Sequence, residues 1–266
     1  MDSGAQNQLA GVISSLQVSL SKINTPEVYY ITSSSDFSLN LNNPEDPGIL
    51  TIGNDPTLSS TFSPIIGLML TSISKQLNQK GKLKSMFLID EFPTVFIPGV
   101  EQLPATARSN KVATILACQD IAQMTDMYGK EKSETVLSNL GNQIFGRTTN
   151  PQTAERVSKI FGKADKLMQS TSDNFSGSVI GDMRKGGGIS YSYQERELVK
   201  IQDVATLNTG EFYVILSEGN MRQGKAYIPL DPNFQKWDLK ANQDVTEAEM
   251  NALYNKIRFE ANELLT

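Results

Sequence analysis

Apolar residues first fall at helical spacing. Leu9, Val12, Ile13, Leu16 and Leu20 share one face, which predicts an amphipathic opening helix that needs a partner surface. A stretch rich in Ser, Asn, Asp and Pro from about Thr32 to Pro47 reads as a surface connection. Ile49–Ile52 is a candidate buried strand. Ser63 and Pro64 offer an N-cap and first position for a helix carrying Ile65, Leu68, Met69, Ile73 and Leu77, with a stop at Gly81.

Two continuous apolar runs follow, Met86–Ile89 and Val112–Ala117. Neither alternates, so both suit strands covered on two faces of a parallel sheet. Helical patterns separate them, which predicts a doubly wound α/β architecture. Asn142–Phe145 is a further strand, leading through Arg147 to Asn150-Pro151. That pair caps a helix with Ala154, Val157, Ile160 and Phe161, closed by Gly162. From Gln169 to Tyr193 the composition shifts to Ser, Gly and Asp, with glycine at 186, 187 and 188. This segment reads as a flexible loop or an exposed hairpin. Glu211–Leu216 and Lys225–Ile228 form a closing strand pair around Gly219-Asn220. Thr246 and Glu249 form a capping box for a last helix carrying Met250, Leu253, Tyr254, Ile257, Ala261 and Leu264. No internal repeat is visible.

Composition narrows the chemistry. The 266 residues are 39% hydrophobic and 20% charged, which is compatible with a packed core. The absence of histidine excludes Ser-His-Asp and Cys-His nucleophile pairs and histidine-ligated metals. The one cysteine, Cys118, excludes disulfide scaffolds and fits a reducing compartment. A net charge of −5 argues against a protein that coats nucleic acid, though a local basic groove stays compatible with it. No apolar run approaches the roughly 20 residues of a membrane span, and residues 1–25 lack a signal pattern. The expected chain is a soluble one whose chemistry rests on carboxylates, Arg, Lys, hydroxyls or bound ions.

Met86-Phe-Leu-Ile-Asp90-Glu91 is the sharpest local feature. A hydrophobic strand that delivers two acids at its C-terminal end is the form of a Walker B element. There the first carboxylate holds Mg²⁺ and the second polarises the water that attacks a γ-phosphate. Two acids that merely end a buried strand have the same pattern. Gln119 follows the next apolar run and so falls beside the acids, where a glutamine can sense a γ-phosphate or orient water; an exposed helix-start residue is the plainer reading. Arg108, in Ala107-Arg108-Ser109, is either an arginine finger for a neighbouring subunit or a solvated cation. Arg147 fits a structural or interface cation. Arg156, Lys159, Lys163 and Lys166 form a modest basic stretch that fits a solvated helix face or a DNA backbone contact. No Gly-x4-Gly-Lys-Ser/Thr occurs, so these residues hold a Walker B-like half-site without a phosphate-cradling loop.

Several stretches in order resemble the type IV secretion coupling proteins, the TraG/TraD-type conjugative DNA-transfer ATPases. They are Phe87-Leu-Ile-Asp90-Glu91-Phe92-Pro93, Leu103-Pro-Ala-Thr-Ala-Arg108-Ser109, Ala117-Cys-Gln119-Asp-Ile-Ala-Gln-Met124 and Tyr128-Gly129. Leu137-Ser-Asn-Leu140, Gly146-Arg147-Thr148, Glu195-Arg-Glu-Leu198 and Gly210-Glu211 continue the pattern. The likeness covers most of residues 1–230. It implies a RecA-like P-loop NTPase core with a mostly parallel sheet, here incomplete because the Walker A segment is missing. By matched position, the resemblance implies that Asp90 takes the Mg²⁺ role through water, Glu91 the catalytic base, Gln119 the nucleotide sensor and Arg108 the finger. The implied cofactors are ATP and Mg²⁺. The implied partners are single-stranded DNA, the relaxase or relaxosome, and secretion-channel proteins, in a homo-hexamer held at the cytoplasmic face of the bacterial inner membrane by an upstream segment.

The expected organisation has residues 1–45 as the end of an all-α insertion plus a connection. Residues 46–232 form the C-terminal part of the motor domain with the 169–193 loop, and residues 233–266, including Trp237, form a tail helix that matches no part of the family pattern. On this reading the intact protein is a P-loop ATPase, and the 266 residues by themselves are inactive. A non-catalytic module that docks relaxosome or channel proteins is the alternative, and a related hexameric DNA pump is a third.

Overall fold

The computed structural model describes residues 3–176, 184–233 and 245–265; Trp237 lies outside them. In chain order the elements are α1 (Ser3–Ser21), α2 (Pro26–Thr32), α3 (Ser59–Leu77), β1 (Ser85–Ile89), α4 (Leu103–Ala107) and β2 (Val112–Leu116). After these come α5 (Ile121–Tyr128), α6 (Lys130–Asn139), β3 (Gln143–Phe145), α7 (Pro151–Phe161), β4 (Lys163–Ser176) and β5 (Arg184–Glu197). The chain closes with α8 (Ile201–Ala205), β6 (Glu211–Ile215), β7 (Gln223–Tyr227) and α9 (Glu247–Leu265). Single 3₁₀ turns occur at Pro56–Leu58, Phe92–Thr94, Val100–Gln102 and Arg108–Asn110. None of the described helices is long and apolar enough to cross a membrane.

The described residues form two compact units. The first draws on Met1–Gln119, Gln123–Leu140 and Asn233–Thr266, the second on Asp120–Ala122 and Gly141–Pro232. In the first, β1 and β2 pair in parallel, Ser85 opposite Val112 through Ile89 opposite Leu116. One face of this pair supplies the buried Phe87, Ile89 and Val112. The loop after β1 goes deeper: Phe92 and Ile97 are each 1% exposed, and burying such a side chain contributes about 1.5–3 kcal/mol. Helix α4 packs on β2 and α6. In α3, Ile73 and Leu77 point inward, and Asn42 ties the end of that helix to the sheet by donating from Nδ2 to the Leu77 carbonyl at 3.0 Å and to Ser85 Oγ of β1 at 3.3 Å.

In the second unit, Asn150 caps α7 by accepting from the Gln152 N–H at 2.9 Å, Pro151 takes the first turn, and Gly162 ends the helix at φ 75°. Ala154, Val157 and Phe161 of α7 pack with Val199 and Val204 against Phe145, Tyr213 and Ile215 of the sheet. That sheet has the order β3-β6-β7 and is antiparallel throughout.

Several expectations change. Among the described residues β1–β2 is the one parallel pairing, so the sheet content is not mostly parallel: β6 runs back along β3, and the short turn before β7 forces a hairpin. The outer face of β1–β2 is open, with Met86, Leu88 and Ile115 exposed, as is the apolar face of α1. Ile49–Ile52 is not a strand, because Ile49 is 98% exposed and has no ladder partner. Helix α3 starts at Ser59, not Ser63. Asp55 caps a preceding 3₁₀ turn at Pro56, and Pro64 falls inside the helix while Ser63 Oγ donates to the Thr94 carbonyl. Of the two readings of residues 169–193, a hairpin is what forms: β4 and β5 pair over 14 residues each, Lys163 opposite Glu197 to Ser176 opposite Arg184.

Candidate functional site

Strand β1 ends at Ile89, and the acid pair follows. Asp90 is exposed; Glu91 is half-buried with φ 53° and ψ 56°. That left-handed conformation costs a residue with a Cβ roughly 1–2 kcal/mol, so the surroundings must impose it. They do so through four hydrogen bonds. The Ala117 N–H donates to the Ile89 carbonyl at 2.9 Å, and the Phe92 N–H donates to the Ala117 carbonyl at 2.7 Å. Thr94 then donates to the Glu91 carbonyl from its N–H at 3.0 Å and from Oγ1 at 2.9 Å. The buried Phe92 ring anchors the far side. Extension of the parallel ladder past the strand ends thus brings the segment after β1 against the segment after β2.

An open cavity of about 600 Å³ lies there, lined by Glu91, Pro93, Thr94, Gln119, Gln123, Asp126 and Met127. Of the four residues singled out in the sequence, the structure brings Glu91 and Gln119 together. Asp90 does not line the cavity, and Arg108 sits exposed on its 3₁₀ turn, away from the lining set. Gln123 and Asp126 were missed. Positions 123 and 126 are three apart within α5, which puts them on one side of that helix, and that spacing is the signal the sequence offers. Arg147 is exposed after β3. In the basic stretch, Lys159 pairs with Glu155 at 3.6 Å and Lys163 with Glu195 at 3.2 Å; exposed pairs of this kind contribute at most about 1 kcal/mol.

Two further residues organise the surroundings. Asp120 caps α5 by accepting from the Ala122 N–H at 3.0 Å and also accepts from Thr153 Oγ1 at 2.7 Å. Desolvation pushes its carboxyl up, but these bonds and those from Asn150 and the Ile121 amide outweigh it and hold the carboxyl below its usual range. Tyr128 is buried at the end of α5, stacked on Phe92 with ring centroids 4.6 Å apart. Burial, helped by the Glu101 charge and opposed by the Ile97 amide, pushes its hydroxyl up to about 12.

The donors around the cavity are carboxylates and amides, hard oxygen ligands of the kind that suit Mg²⁺ together with phosphate and water. Among the described residues no three His, Cys, Asp or Glu side chains form a metal cluster, so an ion there needs ligand oxygens from elsewhere.

Residues 84–209 match the family described as the TraM recognition site of TraD and TraG. The coupling protein TraD of Escherichia coli (strain K12) is 22% identical over 173 residues, 64% of this chain and 24% of TraD. Among solved structures, the unbound monoclinic form of the bacterial conjugative coupling protein TrwBΔN70 superposes with a TM-score of 0.60 at 18% identity. That match covers 74% of this chain and 44% of the other. The plasmid coupling protein TrwB in complex with ADP and Mg²⁺ gives 0.57 at 17%, with the same coverage. The fold is therefore the α/β fold of conjugative coupling proteins. Residues 84–209 carry the likeness to the TraD and TraG family, and the chain spans about a quarter of TraD and less than half of the TrwB chain.

Proposed function

We propose that this chain is the Walker B and sensor part of a RecA-like ATPase that couples ATP hydrolysis to conjugative DNA transfer. The observation that carries the reading is the convergence of Glu91 and Gln119 on one cavity at adjacent parallel strand ends, with Glu91 held in a strained backbone conformation. Open α/β sheets bind ligands at this edge, and strain in a folded chain concentrates where function requires it.

In this account Glu91 orients the attacking water and accepts its proton, and Gln119 hydrogen-bonds the terminal phosphate or that water. Asp90, at the end of the strand, would hold Mg²⁺ through water; Mg²⁺-ATP, when bound, supplies the transferable phosphoryl group. The phosphates need a cradle that these 266 residues do not contain, so hydrolysis belongs to the intact protein. Arg108, exposed and off the cavity, acts on a neighbouring subunit's nucleotide in a homo-hexamer. Single-stranded DNA with its relaxase, and the secretion channel, are the cargo and the destination, at the cytoplasmic face of the inner membrane.

The test is Glu91→Gln in the intact protein. Turnover should fall at least about 100-fold while nucleotide affinity holds; hydrolysis at the original rate rejects Glu91 as base.

A second reading has its own support. The matched family is described by recognition of TraM, which favours a docking role for these residues toward a relaxosome protein of that kind. The two roles are compatible within one coupling protein. Binding of such a partner by the Glu91→Gln variant, undiminished, would show that docking does not depend on turnover.

A further inference from the structure

The Tyr128-Gly129 pair belongs to the stretches that resemble the coupling proteins, and neither residue lines the cavity. The surroundings of Tyr128 supply its role. The Tyr128 hydroxyl donates to the Val95 carbonyl at 2.7 Å and accepts from the Ile97 N–H at 3.1 Å. Both loop residues are buried, at 4% and 1% exposure, so without the hydroxyl two backbone groups would be left dry and unpaired. The ring lies parallel to Phe92, with an interplanar angle of 10°, and also stacks on Phe96 at 5.2 Å. Phe92 is the residue directly after Glu91.

The other end of the connection is equally fixed. Tyr128 closes α5, whose Gln123, Asp126 and Met127 supply one wall of the cavity; Glu91, Pro93 and Thr94, from the loop after β1, supply another. Ser133 Oγ lies 3.0 Å from the Met124 carbonyl and 2.8 Å from that of Gly129, and Gly129 turns the chain at φ 78°. Tyr128 is therefore the side chain that bonds the α5 wall to the loop bearing the Glu91 wall, by a stack and two hydrogen bonds.

We propose that Tyr128 is the positioning residue for Glu91, setting the distance between the two walls and so the placement of the Glu91 carboxylate over the cavity. This rests on the reading of Glu91 as the base. A tyrosine that merely fills the core would use its ring alone; here the hydroxyl joins a donor and an acceptor two residues apart, which fixes the register of the loop as well as its burial.

Tyr128→Phe keeps the ring and stack and removes only the hydroxyl. In the intact protein kcat for ATP hydrolysis should fall about 10- to 100-fold, the loss expected from a misplacement on the order of 1 Å. KM for ATP should stay within about twofold, because binding contacts are untouched. In the Glu91→Gln background Tyr128→Phe should remove nothing more, since the group it positions is gone. Equal losses in both backgrounds would mean a general packing role and would overturn the proposal. Wild-type turnover in Tyr128→Phe, with Glu91→Gln inactive, would overturn it while leaving Glu91 as base. Wild-type turnover in Glu91→Gln would overturn both.

A second measurement uses the 266-residue chain directly. Amide exchange at Ile97 should rise about tenfold or more in Tyr128→Phe while β1 and β2 amides keep their protection. Unchanged exchange at Ile97 would contradict the hydroxyl's role independently of any turnover assay.

Discussion

Phe92 donates its backbone N–H to the carbonyl oxygen of Ala117 across 2.7 Å. This one bond ties the residue after the acid pair to the residue two before Gln119, beyond the point where β1 and β2 stop pairing as strands. It explains how two side chains from separate crossovers share a cavity, and why Glu91 is caught in left-handed backbone.

Relief of that strain makes a prediction that separates function from stability. Glu91→Gly removes the Cβ penalty of roughly 1–2 kcal/mol but loosens the unfolded chain by up to about 1 kcal/mol. Chemical denaturation should therefore give a stability within about 1 kcal/mol of wild type, on the stabilising side, while hydrolysis is lost. A destabilisation beyond about 2 kcal/mol would mean that the Glu91 side chain holds the fold.

Asp120 predicts a pH dependence. Its folded-state carboxyl is held below the ordinary 3.8, so its contribution is fully present above that value and disappears as pH falls through the lower folded value. Asp120→Asn should cost about 1 kcal/mol at neutral pH, as for other helix N-cap losses. The gap from wild type should narrow as the pH drops below about 4. Urea titrations at several pH values would show this; a gap that widens in acid would contradict the assigned bonds.

Gly67 predicts a packing limit behind the site loop. A Cβ there would run into the Phe96 carbonyl oxygen, and that oxygen belongs to rigid backbone. Gly67→Ala should cost about 1–3 kcal/mol despite alanine's better helix propensity. A neutral or stabilising result in thermal unfolding would mean that α3 and the loop are not so close.

Arg108 is exposed on its 3₁₀ turn and is not among the residues that line the cavity. If it serves a neighbour, Arg108→Ala should lower turnover about 10³-fold or more in assembled rings and leave the slow rate of dissociated subunits unchanged. Equal loss in both states would place its effect within one subunit.

Part of this structure was legible because it depends on neighbours in sequence. The unbroken apolar runs at Met86–Ile89 and Val112–Ala117 became the parallel pair. Asn150-Pro151 and Gly162 bounded α7, and Thr246 with Glu249 formed the capping box of α9, Glu249 Oε2 accepting from the Thr246 N–H at 2.9 Å. What stayed hidden depends on distant partners. Nothing near Glu91 announces a left-handed residue, since Ala117 and Thr94 impose it. Ile49 looked like a strand residue because local pattern cannot show that a ladder partner is missing. The long β4–β5 hairpin carries serine and glycine where a core-facing strand would carry alternating apolar residues, so its pairing left little trace in periodicity. Around the cavity, the place of Gln119 beside Glu91 follows from its strand end, whereas the bonds of Tyr128 to Val95 and Ile97, 30 or so residues earlier, leave no local pattern.

The central claim is that Glu91 and Gln119 act together on one nucleotide. The direct measurement is a double-mutant cycle on ATP turnover by the intact protein, using Glu91→Gln, Gln119→Ala and the pair. Residues that serve one step as a unit lose activity non-additively. If Glu91 and Gln119 do so, the double variant is no slower than Glu91→Gln alone. A double variant slowed by the product of the two single losses would contradict the claim, because the two residues would then be acting independently.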